Sequence, residues 1–379
     1  MAKILVLGAG MVGSAMALDL ANRHQVVATD RDTEALARLQ GHKNLQVLPL
    51  DATDALAVTA AVADVDLVVS AVPGFLGFEV LRTLIEAGKN VADISFFPEE
   101  ALDLDALAKE RGVVVVTDIG VAPGLDNLIL GHHDRQMQVQ RFECLVGGLP
   151  KRRTLPWQYK APFSPADVIE EYLRPARLVE GGREVVKDAL SEPELIEFDG
   201  VGTLEAFNTD GLRSLIQTMP HIPEMREKTL RYPGHRDLVF DLRESGFLSQ
   251  AEVEVDGVKV KPHALTSAVL FDQWKLQPDE EELTVMRVTV EGVEDGKAVR
   301  HVWHLYDEFD STTGTSSMAR TTGYTCTGMA ECILDGSWNT PGVSPGEIVG
   351  REEEVFRKVL EHLEQHWVGL TQETLELEA

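Results

Sequence analysis

The stretch Lys3-Ile4-Leu5-Val6-Leu7-Gly8-Ala9-Gly10-Met11-Val12-Gly13 runs an apolar, strand-like segment straight into a Gly-x-Gly-x-x-Gly pattern, and a helix-like segment, Ser14 to Ala21, follows at once. A strand that turns through three glycines into a helix is suited to holding a dinucleotide. The first glycine permits the tight turn, the second lets a pyrophosphate reach the backbone, and the third lets helix and strand pack closely. Free N–H groups at the helix start then face the phosphates. Gly8, Gly10, Met11, Val12 and Gly13 are therefore the candidate phosphate-binding residues. Asp30 ends the next β-branched run, where a carboxylate accepts hydrogen bonds from an adenosine ribose. It would repel a 2′-phosphate, so NAD is favoured over NADP, although Arg31 beside it offers a phosphate partner. Ser70, Ala71, Val72 and Pro73 close the fourth strand and are expected over the ribose of the nicotinamide half.

Outward from this turn the same rhythm repeats. Short runs at Lys3–Leu7, Gln25–Thr29, Leu45–Pro49, Leu67–Ala71, Asn90–Asp93 and Val113–Thr117 alternate with helix-like segments that begin near Val12, Thr33, Asp54, Phe78 and Asp103. Strand and helix in alternation predict a parallel, doubly wound sheet of Rossmann type, an α/β domain over residues 1–121. After Pro123 the texture changes to longer alternating runs, among them Glu252–Val260, Leu283–Val293 and Ala298–Tyr306. The last two flank Asp295-Gly296, a strong hairpin signal. Residues 122–318 are expected to form an α+β domain on an antiparallel sheet. In residues 319–379 a helix is expected from Thr322 to Leu334, a Pro/Gly-rich loop from Asn339 to Gly346, a second helix from Glu347 to Trp367, and a fraying acidic tail.

Composition narrows the partners. The chain has 379 residues, 44% of them hydrophobic and 26% charged, which is ordinary for a folded protein and excludes disorder. Its 35 basic and 62 acidic residues leave a net charge of −27, which opposes nucleic acid and anionic membrane surfaces. The apolar start meets glycine too soon for a signal peptide, and no run is long enough to span a bilayer, so the cytoplasm is expected. Cys144, Cys326 and Cys332 form no CxxC pair and are expected in the core. His132-His133-Asp134 is adjacent rather than helix-spaced, and His301 and His304 should point to opposite faces of a strand, so no metal is expected.

Several further segments carry a resemblance. VVSAVP at Val68, DIGVAPGLDN from Asp118, VGGLP from Val146, YKAPFSP from Tyr159, VIEEYLRPA from Val168, EAFNTDGLRSL from Glu205 and KTLRYPGH from Lys228 run in order through two-thirds of the chain. With GAGMVG at Gly8, the set resembles the saccharopine dehydrogenase family, and within it the lysine 6-dehydrogenase branch. Val146 stands where saccharopine reductases typically carry a cysteine, and Thr209-Asp210-Gly211 lies near the place of their Asn-Arg-Asp element. The resemblance implies NAD-dependent oxidation of the terminal amine of L-lysine to its semialdehyde with release of ammonia, in a homodimer. It also implies that residues 122–318 form the substrate and dimerisation domain and that a helix near Thr322 returns to cover the nucleotide.

Amine oxidation needs a base for the ammonium proton and a grip on the amino acid. Asp118, at the carboxyl edge of the sixth strand, and His235, whose imidazole titrates near neutrality, are the candidate catalytic groups. The resemblance places Arg213 at the substrate pocket, where its guanidinium would take an α-carboxylate in a bidentate fork while Asp210 meets the α-ammonium. Lys160 and Ser164 are secondary candidates for that carboxylate, and Phe96-Phe97 is expected to pack the domain interface or wall the nicotinamide pocket. Imine reduction of the saccharopine or carboxynorspermidine kind is the alternative chemistry, and a second arginine in the pocket, Arg174 or Arg231, would favour it. A non-catalytic NAD-binding sensor is the alternative of another class.

Overall fold

The computed structural model describes residues 1–277 and 280–378. Its first sheet takes the strands β1 (Lys3–Leu7), β2 (Gln25–Asp30), β3 (Leu45–Pro49), β4 (Leu67–Ser70), β5 (Asn90–Asp93) and β6 (Val114–Thr117). All pair in parallel in the spatial order 3-2-1-4-5-6 of a doubly wound domain. The continuous apolar runs follow from burial on both faces: Ile4 and Val6 enter one core, and Leu5 and Leu7 enter the other. A seventh strand, Gly342–Pro345, extends the sheet beside β6. A loop is expected over these residues, because proline and glycine are depleted in strands. Here Pro345 closes the strand at an edge, where a missing N–H costs little.

The second sheet runs, in spatial order, through Glu194–Phe198, Gly202–Asn208, Glu224–Arg231, Gln138–Pro150, Glu282–Glu294, Lys297–Glu308 and Leu370–Glu376. It is mixed rather than antiparallel, since Glu224–Arg231 lies parallel to Gln138–Pro150. The expected hairpin is present, with Glu294 paired to Lys297 and both Asp295 and Gly296 at positive φ, as a tight two-residue turn requires. The tail does not fray: Leu370–Glu376 pairs with Lys297–Glu308. Its alternating polar residues read as a solvated tail until the partner strand is known. The region after Pro123 also holds a helix, Leu125–Gln136, that strand-like texture concealed.

The helix Ser317–Asp335 returns to the first sheet and packs along the helix Met11–Ala21. The expected long helix to Trp367 is two, Gly346–Val349 and Glu353–Gln365, interrupted at Gly350. Gly350 lies against the backbone of Leu128, where a Cβ would come within 2.3 Å of its carbonyl oxygen, so close packing sets the break. Among the described residues no helix is long and apolar enough to cross a membrane. The three cysteines are buried thiols.

Candidate active site

One cavity of about 1000 Å³ runs from the carboxyl edge of the first sheet to the face of the second. At its nucleotide end the three glycines divide their work. A Cβ on Gly8 would lie 2.6 Å from the carbonyl oxygen of Ala71, and one on Gly13 would lie 2.0 Å from that of Gly8. These two glycines exist for packing. A Cβ on Gly10 meets nothing within 4 Å, because it would project into the open cradle at the start of the helix Met11–Ala21. Gly10 ends that helix without a side-chain cap, leaving the first N–H groups free for an anion. Asp30 braces the turn, accepting from the Ala9 N–H at 2.7 Å and from the Asp32 N–H at 2.8 Å. Arg31 and Arg38 line the same end, and Ala71, Val72 and Pro73 line the next stretch. Ser70 is buried behind them, with its hydroxyl 3.5 Å from that of Ser95. The open cradle, the free helix start and the carboxylate together fit a dinucleotide.

The substrate end is built largely by one strand. In Glu224–Arg231 alternate side chains share a face, so Glu227, Thr229 and Arg231 reach the cavity while Lys228 points away to the carbonyl of Glu192. Glu227 is buried, its Oε2 has no partner, and its carboxylate fills the space a side chain on Gly211 would need. Burial, with the carboxylates of Asp126, Glu171 and Asp210 nearby, pushes its carboxyl well above the ordinary range. Thr229 donates to Glu171 and lies 2.9 Å from the hydroxyl of Thr209. The Arg231 guanidinium donates to the Tyr172 hydroxyl at 2.8 Å and approaches Glu171 at 3.5 Å.

The sequence-derived candidates separate. Asp210 and Ser164 line the cavity. Asp210 is also gripped at 2.9 and 3.0 Å by the fork of Arg177, which reaches on to Glu100 of the first domain. Asp118 and Arg213 do not face the cavity. They bind one another, with two contacts of 3.2 Å, both buried and both at positive φ. Arg213 donates further to the carbonyl of Phe97 and stacks 4.6 Å from the Phe96 ring centroid. The proposed base and the proposed carboxylate grip thus satisfy each other. His235 is buried away from the cavity: its Nδ1 bonds the carbonyl of Trp157 at 2.9 Å and its Nε2 the Tyr172 hydroxyl at 3.0 Å. Burial and the adjacent Arg231 push its imidazole down to about 3, so it positions Tyr172 and Arg231 rather than taking a proton. Lys160 lies off the cavity, 3.2 Å from Glu280. Of the phenylalanine pair, Phe96 walls the cavity and Phe97 is buried against Phe78. Of the two spare arginines, Arg231 lines the cavity, whereas Arg174 lies over the Phe96 ring.

Glu171 and Glu227 were missed as individual groups. The first lies inside VIEEYLRPA and the second immediately precedes KTLRYPGH, so strand periodicity through Glu227, Thr229 and Arg231 was the available signal.

This architecture defines a two-domain dinucleotide-binding protein whose second domain closes a polar pocket over the cofactor end. Residues 4–116 match the saccharopine dehydrogenase NADP binding domain, and residues 120–369 match the saccharopine dehydrogenase C-terminal domain. The chain belongs to the saccharopine dehydrogenase family. It is 28% identical over 272 residues to a saccharopine dehydrogenase (NADP+, L-glutamate-forming) of Schizosaccharomyces pombe, a match covering 67% of this chain and 60% of that protein. The similar enzyme of Pyricularia oryzae is covered over 58% of its length, so the chain spans less than two-thirds of these relatives. A carboxyaminopropylagmatine dehydrogenase of Synechocystis is 22% identical over 372 residues, 90% of this chain and 92% of the relative. The apo saccharopine dehydrogenase (L-Glu forming) of Saccharomyces cerevisiae superposes with a TM-score of 0.77 at 21% identity, covering 99% of this chain and 100% of that one, and shares the fold.

Proposed function

We propose that the chain is a nicotinamide-dependent oxidoreductase that acts on the terminal amine of L-lysine, taking hydride from the carbon that bears it. Water then replaces the nitrogen, ammonia leaves, and the 6-semialdehyde closes to piperideine-6-carboxylate. The observation that carries this reading is the charge of the substrate end, where Asp167, Glu171, Asp210 and Glu227 face the cavity against Arg231. Asp210 is already paired with Arg177, so Asp167, Glu171 and Glu227 are the acidic groups left facing Arg231, and they suit a substrate with two ammonium groups and one carboxylate. They oppose saccharopine, which carries three carboxylates.

A bound nicotinamide would supply the hydride acceptor. The chain supplies the rest. The free N–H groups after Gly10 would hold the pyrophosphate, and Arg231, fixed by Tyr172 and backed by His235, is placed to take the α-carboxylate. Glu227 offers an unpartnered oxygen to the ammonium, and its raised affinity for a proton suits it to take one. For the cofactor we propose NAD, with Asp30 accepting from the ribose. Arg31 and Arg38 at the same end, and the NADP-using relatives, support the phosphorylated form, and the ratio of kcat/KM for the two cofactors decides.

The same acidic pocket also suits imine reduction on a cationic polyamine-type substrate, a reading favoured by the near full-length match to carboxyaminopropylagmatine dehydrogenase. Reduced-nicotinamide formation with lysine, cadaverine and saccharopine, run beside its consumption with aldehyde and amine pairs, tests both. Lysine should lead the oxidations. Turnover confined to aldehyde–amine pairs would replace the lysine reading with the second.

A further inference from the structure

Away from the cavity, the helix Met11–Ala21 and the end of the helix Glu353–Gln365 bring Asp19, His362 and His366 together. The Asp19 Oδ2 lies 3.0 Å from the Nε2 of His362, and its Oδ1 lies 2.8 Å from the Nε2 of His366. All three donor atoms fall within 4.8 Å of one another. The two histidines are one helical turn apart, so their rings share a face. His366 already donates from Nδ1 to the carbonyl of His362 at 2.8 Å, the outer contact that fixes the ring of a metal-bound histidine. Its Nε2 points at the Asp19 carboxylate, so a proton holds this pair together and a metal ion would take that proton's place.

We propose that Asp19, His362 and His366 form a binding site for a divalent transition metal of the zinc class. Two imidazole nitrogens and one carboxylate oxygen are a borderline donor set that suits Zn²⁺, Ni²⁺ or Cu²⁺ over Mg²⁺ or Ca²⁺. Ligands at about 2.0–2.1 Å in a tetrahedral shell sit about 3.3 Å apart, so the donor atoms, now within 4.8 Å of one another, would draw together around the ion. Asp19 and His362 are buried, while His366 is partly open and leaves a fourth position for water. The Tyr324 ring, 4.2 Å from that of His366, forms one wall. Gly328 lets His362 approach, since a Cβ there would press on its ring at 3.3 Å. Arg23 lies 3.9 Å from Asp19 and 3.5 Å from the Nδ1 of His362, and its half-exposed side chain is anchored by an ion pair of 3.2 Å to Glu331. Thr327, 2.9 Å from the Nε2 of His362, would turn its hydroxyl to a bound water.

None of the three ligands lines the active-site cavity, so the metal's work is to clamp the carboxyl-terminal helix onto the helix that begins at the glycine cradle. The proposal stands independently of the amine chemistry. The test uses the metal-stripped full chain, titrated calorimetrically with Zn²⁺, beside His366→Gln, Asp19→Asn and, as a control on another histidine, His132→Gln. One Zn²⁺ per chain with micromolar or tighter affinity and a raised Tm is expected in the wild type and the control, with a loss of about a hundredfold in the two ligand variants. Co²⁺ should give the wild type the visible absorption of a low-coordinate nitrogen/oxygen site, a readout that needs no variant to fold. Absence of saturable Zn²⁺ binding and of that band, or binding equally strong in His366→Gln and Asp19→Asn, would overturn the site.

Discussion

Arg213→Ala separates a structural ion pair from a substrate grip. The guanidinium makes two bonds to Asp118, a third to the Phe97 carbonyl and a stacking contact with Phe96. Both members of the pair are about 4% exposed, so water does not replace what is lost. Removing one partner from a buried pair leaves an uncompensated charge and costs about 3–5 kcal/mol. Asp118 directly follows β6 and Arg213 belongs to the second domain, so the loss should loosen the domains against each other. Restoring neutrality with Asp118→Ala in the same chain should recover about 1–3 kcal/mol of that loss. Urea unfolding of the wild type, both single variants and the double variant closes the cycle, with NAD titration at each point. If Arg213→Ala keeps wild-type stability to within about 1 kcal/mol while kcat/KM for lysine falls about 30-fold or more, the guanidinium meets the substrate and the structural assignment is wrong.

Gly10→Val should leave the fold intact, since a Cβ there meets nothing within 4 Å, yet weaken dinucleotide binding by about 100-fold or more, checked by calorimetry. Gly211→Ala should displace the Glu227 carboxylate, which would lie within about 2 Å of the new Cβ, and cut kcat at least tenfold with little change in cofactor affinity; unchanged turnover would remove Glu227 from the mechanism. Asp93 is wholly buried, and burial above all lifts its carboxyl to about 7 from an ordinary 3.8. The folded state therefore holds that proton more tightly than the unfolded chain does, and the stability it gives is lost as pH rises toward and through 7. Asp93→Asn should abolish a wild-type loss of about 2–3 kcal/mol between pH 5 and pH 8, measured by denaturant unfolding, and parallel pH profiles would refute it.

The first sheet was legible because local rules determine it. A fully buried strand is apolar throughout, and the glycine turn has one geometry, so β1 to β6 lie within a residue of the expected bounds. Elements that depend on distant partners were not legible. Gly342–Pro345 is a strand only because β6 offers it an edge, and Leu370–Glu376 only because Lys297–Glu308 does. The site divides in the same way. The cradle residues are contiguous and were read directly, whereas Asp118 and Arg213 are 95 positions apart, and nothing local shows that each is the other's partner. Glu227 illustrates the converse: it stood one position outside a recognised motif, and the face it shares with Thr229 and Arg231 was readable from period two alone.

The central claim is that the lysine side-chain nitrogen leaves as hydride is removed from its carbon. The most direct measurement follows L-lysine carrying heavy nitrogen at the side-chain amine only, with ammonia labelling and reduced-nicotinamide absorbance read from the same reaction. Labelled ammonia should appear mole for mole with reduced cofactor. Unlabelled ammonia, or reduced cofactor without ammonia, would contradict the assignment.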